Sequence, residues 1–341
     1  MKKFIVFILL LLVSSQYGAA QTKIKKISLG MHTTCIIDAN SKLKCWGGHS
    51  SKPGRYFLPN SGPEMIDVFP AVADVLIGLS FSCALSTLGE VKCWGKVPGA
   101  TDEAQKTEVQ PSLVKLPAPA KSIAGISDTI CMQLINGKVY CFGRNNWATP
   151  TIYSGTNEAI PVILPDGVIQ LEASPLDFTA LLDDGTVLRW GNFQPKAKKL
   201  NLEPVKKLMG GDTRICFILN TGRVLCEMDK ESFKPVKGLE GNVVSGRTHE
   251  ESGCAVLEGG QVKCWGFNGD GKIGLGAHID RTSDAHLVAG VSDALSTEMD
   301  NGISCALLKN DTVKCWGSGF KILGNGDQTF LSPYELKIPL N

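Results

Sequence analysis

Two cysteines ten positions apart recur along this chain inside one short phrase. It is clearest as "SFSCALSTLGEVKCWGK" at 80–96, "ESGCAVLEGGQVKCWGFNG" at 251–269 and "GISCALLKNDTVKCWGSG" at 302–319. The first cysteines are Cys35, Cys83, Cys131, Cys216, Cys254 and Cys305; the second are Cys45, Cys93, Cys141, Cys226, Cys264 and Cys315. The first three copies are spaced 48 apart (35, 83, 131), and the next gap is 85 (131 to 216). One more step of 48 from Cys131 lands on "FTALLDDGTVLRWGN", where Thr179 and Arg189 replace both cysteines together. There are therefore seven copies. Trp follows the second position at Trp46, Trp94, Trp190, Trp265 and Trp316, with Phe142 in the third copy and Glu227 in the fifth. A repeat of this length marks propellers and solenoids, in which each unit buries its apolar face only against its neighbours.

Within a copy the pattern is of strands. A short apolar strand, a turn and an alternating second strand (Val91-Lys92-Cys93-Trp94) follow one another. The residue after the turn midpoint is Gly89, Gly137, Gly185, Gly222 or Gly260, with Ser41 in the first copy and Asp311 in the last. Gly there suits a three-residue hairpin loop whose last residue is left-handed. Counting outward from such a loop, the two cysteines face each other at a non-hydrogen-bonded pair, where Cα atoms are about 4.5 Å apart. That spacing is within disulfide range. The spacing predicts six bridges: Cys35–Cys45, Cys83–Cys93, Cys131–Cys141, Cys216–Cys226, Cys254–Cys264 and Cys305–Cys315. The alternative is small buried thiols in strands. Zinc fits less well, because one hairpin offers two ligands and not four.

The N-terminus supplies an oxidising setting. "MKKFIVFILLLLVSSQYGAAQ" has two lysines, a short apolar run and small residues before Gln21, the pattern of a cleaved signal peptide over residues 1–20. The repeats then fill 21–341 as one domain. Removing Lys2 and Lys3 from 35 basic residues leaves 33, against 33 acidic residues. A net-neutral chain without a basic run is poorly suited to nucleic acid, which is bound through cation excess. No later stretch reaches membrane length. The expected location is the periplasm, the cell surface or the medium.

The phrase "G…CAL…G.VKCWG.N..G.LG.G" resembles the regulator of chromosome condensation repeat. The sixth copy carries it most fully, in Cys254-Ala255-Val256-Leu257, Gly260, Val262, Trp265-Gly266, Asn268, Gly271 and Gly274-Leu275-Gly276. The resemblance implies an all-β, seven-bladed β-propeller. The founding eukaryotic member of that family acts on a nuclear GTPase and on chromatin, roles that do not suit an exported, neutral chain. Exported bacterial relatives that bind proteins, including an inhibitor of β-lactamase, are the nearer analogy. Each later repeat is preceded by a Pro-apolar segment such as "EPVKKLMGG", which the first lacks. The C-terminal "SPYELKIPLN" is expected to supply it, closing the ring by pairing into the first blade.

No linear motif carries catalysis. His32, His49, His249, His278 and His286 stand in unrelated contexts, and acid pairs such as Glu250-Glu251 read as solvated turns. "NGDGKIGLG" at 268–276 resembles a calcium loop, but Gly266 and Ala277 fall where carboxylates are required. The sequence therefore implies no catalytic residue, metal or cofactor. Binding is expected on loops between blades, where aromatics and arginines stand in polar surroundings. They are Arg55, Tyr56 and Phe57, then Arg144, Trp147 and Tyr153, then Phe193. The competing reading folds these side chains back as rim core. The sequence thus points to an exported, non-enzymatic binding propeller for an extracellular or envelope protein, or a glycan, as an inhibitor or surface-recognition module. The alternatives are a polysaccharide hydrolase or lyase and a structural part of an envelope assembly.

Overall fold

The computed structural model describes residues 23–30, 33–47, 64–78, 81–95, 111–126, 129–143, 158–174, 177–191, 194–211, 214–229, 232–239, 242–276, 280–320 and 327–336. These form seven four-stranded antiparallel sheets arranged as the blades of a propeller, with no helix among the described residues. Blade one runs from its inner strand Ile24–Gly30 through Thr33–Asp38 and Leu43–Gly47 to the outer strand Glu64–Met65. Each later blade repeats this order, the last being Ala294–Asp300, Ile303–Leu308, Val313–Phe320 and Asp327–Glu335.

The hairpin between the second and third strands has the predicted form in every blade. In blade one the Asp38 N–H donates to the Lys42 carbonyl at 3.0 Å, enclosing a three-residue loop. The last loop residue has positive φ throughout: Ser41 (60°), Gly89 (84°), Gly137 (80°), Gly185 (84°), Gly222 (82°), Gly260 (75°) and Asp311 (64°). The first and second cysteines face each other directly in all six blades that carry them. Their Cα atoms are 4.0–4.1 Å apart and all six disulfides are formed.

Blade packs on blade through one repeated contact. The aromatic residue after the second cysteine joins the core cluster of the preceding blade's disulfide. Trp94 meets Cys35–Cys45, Phe142 meets Cys83–Cys93 and Trp190 meets Cys131–Cys141. Trp265 meets Cys216–Cys226 and Trp316 meets Cys254–Cys264. Trp46 meets Cys305–Cys315, which brings the seventh blade against the first. The junction from blade four to blade five has neither partner. There Arg189 replaces the cysteine and Glu227 the aromatic, and they form a forked ion pair at 2.5 and 3.0 Å, with both side chains largely buried.

The expected closure is corrected. Asp327–Glu335 pairs with Val313–Phe320 of blade seven, not with blade one. The segment "EPVKKLMGG" carries blade five's own inner strand, Val205–Met209, whereas "SPYELKIPLN" begins inside the outer strand of blade seven, Asp327–Glu335. "KIKKISLG" already supplies blade one with its inner strand. The ring closes by packing instead. Leu336 is buried with Ile24, Ile27 and Trp46, and the Ile24 N–H donates to the Asp311 carbonyl at 3.3 Å. Internal junctions use the same bond, as from Val72 to Ser41 and from Ala120 to Gly89, each at 2.8 Å.

Candidate functional site

The inner strands surround a central cavity of about 330 Å³. On each inner strand the residue opposite the first cysteine position is Ser28, Leu76, Ala124, Glu172, Met209, Arg247 or Glu298. Four of these columns are apolar or small, and three carry charge. Arg247 lies between two of the acids, with one nitrogen 3.5 Å from Glu172 and another 3.3 Å from Glu298. It therefore ties blade six to blades four and seven. Lys26 and Asp74 pair at 2.5 Å between blades one and two. Gln170 donates to the Leu208 carbonyl and accepts from the Leu208 N–H, joining blades four and five.

Burial raises the Glu298 carboxyl above the ordinary carboxylate range. Arg247 and Lys26 pull it back, while Asp74 and Glu172 add to the rise. The channel thus holds an acid that resists ionisation beside an arginine that binds its ionised form. At the end of the inner strands His249 Nε2 lies 3.5 Å from the Asp300 carboxylate, with both side chains buried. The neighbouring Glu250 adopts positive φ (51°) and accepts from Lys272 at 3.0 Å. Burial alone would raise the Glu250 carboxyl, but the Lys272 hydrogen bond and charge outweigh it and the net direction is down. Lys272 is fully buried and lies 5.7 Å from the centre of the Phe267 ring.

The residues chosen from the sequence, Arg55, Tyr56, Phe57, Arg144, Trp147, Tyr153 and Phe193, lie outside the described residues, as does the signal segment 1–20. Only the strands that flank their segments in the chain are described. The segments fall between the third and outer strands of a single blade: 48–63 in blade one, 144–159 in blade three, 192–193 in blade four. Connections between blades are the short ones, as from Met65 to Val72. In the calcium-like stretch, Asn268 Oδ1 accepts from the Ile273 N–H at 3.1 Å and so holds a turn. The channel charges were missed because each repeat contributes only one or two. Stacking the inner strands in register would have shown them.

The fold and its contacts define a seven-bladed propeller, six of whose seven hairpins are stapled by disulfides. Its repeats are of the regulator of chromosome condensation type. No family model matches the chain. The human regulator of chromosome condensation is 36% identical over 107 residues, which is 29% of this chain and 25% of that protein. The aligned stretch is thus a quarter of that relative's length. Among solved structures, human WBSCR16 is similar with a TM-score of 0.69 at 15% identity, over 82% of this chain and 84% of that one. The CRINKLY WD40 ectodomain of the Arabidopsis thaliana receptor kinase ACR4 gives 0.55 at 19%, over 93% and 98%. Prp20p of Saccharomyces cerevisiae, described with its binding to Gsp1p and histones, gives 0.53 at 18%, over 92% and 77%. At these identities the structures share the fold.

Proposed function

We propose that this chain is an exported, non-enzymatic propeller that binds a protein through the segments between its third and outer strands. One observation carries this reading: hairpins of one geometry, six of the seven stapled by a disulfide, hold segments of very different length. They are 48–63, 96–111 and 144–159 in the first three blades, but only 192–193 and 230–231 in the next two. A rigid repeated frame with variable loops is how binding surfaces are built. Prp20p, of the same fold, binds proteins, and six disulfides suit an oxidising compartment. Most of the channel's charges are taken up in ion pairs within it, Lys26 with Asp74, Arg247 with Glu172 and Glu298, and His249 with Asp300.

The test is capture by crosslinking from native envelope or culture fluid. Replacing Arg55, Tyr56 and Phe57 together, or Trp147 with Tyr153, should weaken capture by more than about tenfold, because aromatics and arginine dominate protein interfaces. Melting should barely change. Normal capture by both variants with earlier melting would make these residues core and overturn the assignment.

A further inference from the structure

The open cleft between blades five and six can be read against its filled counterpart between blades six and seven. In blade six the segment after Val262–Phe267 folds back over the junction. Ile273 is fully buried there with Cys254, Cys264, Val288 and Trp316. The carbonyl just before it, on Lys272, accepts from the Trp316 indole at 2.9 Å and from Ser304 Oγ at 2.7 Å. Positive φ at Gly271 (76°) and Gly274 (70°) shapes this turn.

Blade five contains the same junction without that cover. Cys216, Cys226, Val236 and Trp265 occupy the corresponding places, and the Val236 N–H bonds the Val224 carbonyl as Val288 bonds Val262. However, only 230–231 separate Val224–Asp229 from Ser232–Pro235, too few residues to supply the cover that the longer segment after Val262–Phe267 gives in blade six. A cleft of about 270 Å³ lies there, floored by the disulfide and Trp265. Cys226 is 8% and Trp265 7% exposed, whereas Cys254, Cys264 and Trp316 are all at 0%. Among the described residues the Trp265 indole has no acceptor corresponding to the Lys272 carbonyl.

The rim is cationic. Two of its three acids are already engaged by cations, Glu227 by Arg189 and Glu250 by Lys272. Glu251 sits between Arg214 and Arg281, and Lys234 is exposed beside them. Three cations therefore face one carboxylate that no further cation neutralises.

We propose that this cleft docks a peptide loop of a protein partner. An isoleucine or leucine side chain fills it as Ile273 fills the next junction, and the preceding carbonyl accepts from the Trp265 indole. An acidic side chain flanking that residue meets Arg214, Lys234 and Arg281. Buried apolar anchors in pockets with charged rims are the usual centres of protein interfaces. The proposal rests on the protein-binding reading above but names a different surface, so the two can fail separately.

The probe is the chain's own loop as a head-to-tail cyclic peptide, Asn-Gly-Asp-Gly-Lys-Ile-Gly-Leu-Gly, with a second form carrying Glu in place of Lys. The full mature chain is labelled with ¹⁵N, and the Trp265 indole signal is identified through Trp265→Phe. Both peptides should shift that signal saturably, with Kd on the order of millimolar or tighter, and the Glu form should bind more tightly. Replacing the peptide's isoleucine with serine should weaken binding by about tenfold or more, as loss of a buried aliphatic group requires. Arg214→Gln with Arg281→Gln should remove the advantage of the Glu form with little change in the melting temperature, because ion pairs this exposed contribute little to stability. Grafting 268–276 in place of 230–231 should abolish peptide binding; should the graft fail to fold, the arginine variants still decide. An unshifted Trp265, or equal binding of the serine peptide, overturns the proposal. If partner capture persists in that case, the loop reading stands alone. If the peptide binds and no partner is ever captured, the cleft stands and the loop reading falls.

Discussion

Arg189 and Glu227 occupy places that belong elsewhere in the ring to a cysteine and an aromatic. Each replacement alone would leave a buried charge, and together they neutralise one another across a junction. Glu227→Ala should therefore destabilise by about 3 kcal/mol or more, because it strands the Arg189 guanidinium. Replacing both by leucine should be close to neutral, the result expected when a buried pair is exchanged for packed hydrocarbon. Urea midpoints of the two variants separate this account from one in which the pair is incidental, where both would lose little. Glu298 supports a second prediction. Its carboxyl is raised in the folded state, so it contributes stability below the ordinary carboxylate pKa and loses it as pH rises through the folded value. Glu298→Gln, which does not titrate, should match the native protein near about pH 4 and equal or exceed its melting temperature near about pH 8. Equal destabilisation at both pH values would assign Glu298 a purely structural hydrogen-bonding role.

At the scale of the element, the hairpin is defined by one left-handed residue, and its surroundings differ between blades. A Cβ at Gly137 would meet nothing within 4 Å, whereas one at Gly260 would lie 2.6 Å from the Asp293 backbone. Gly137→Ala should therefore cost only the left-handed penalty of about 1 kcal/mol. Gly260→Ala should cost several times more, since it also displaces the first strand of the next blade. Thermal melting of the two variants checks the ordering, and similar losses would mean that the turn does not set the blade junction. The hairpin and its disulfide were legible in the sequence because they depend on contacts within eleven residues. The outer strands were less so. In blades one and two they are two residues long, Glu64–Met65 and Ser112–Leu113, too short to carry an alternating pattern.

At the scale of the molecule, the first and last blades meet through side chains and one backbone bond. Leu336 lies at that seam, 3% exposed, and its N–H donates to the Val313 carbonyl at 2.8 Å. Leu336→Ala should destabilise by about 2–4 kcal/mol, the range for truncating a buried leucine. The same change at Leu113, which is half exposed, should cost far less. Calorimetry of both variants tests whether the seam holds the ring, and equal losses would argue against it.

The sequence by itself determined the number of blades, the hairpin geometry, the left-handed turn position and the pairing of all twelve cysteines. Each of these repeats, and each is fixed by neighbours in the chain. Tertiary structure alone decided that the C-terminal strand belongs to blade seven, because a Pro-apolar segment reads the same whichever sheet accepts it. Tertiary structure also joined Arg189 to Glu227 and gathered Glu172, Arg247 and Glu298 around one channel. Those residues are 38 or more positions apart and never share a motif. What brings them together is the small rotation from each blade to the next, which turns one column of the repeat into a ring of facing charges.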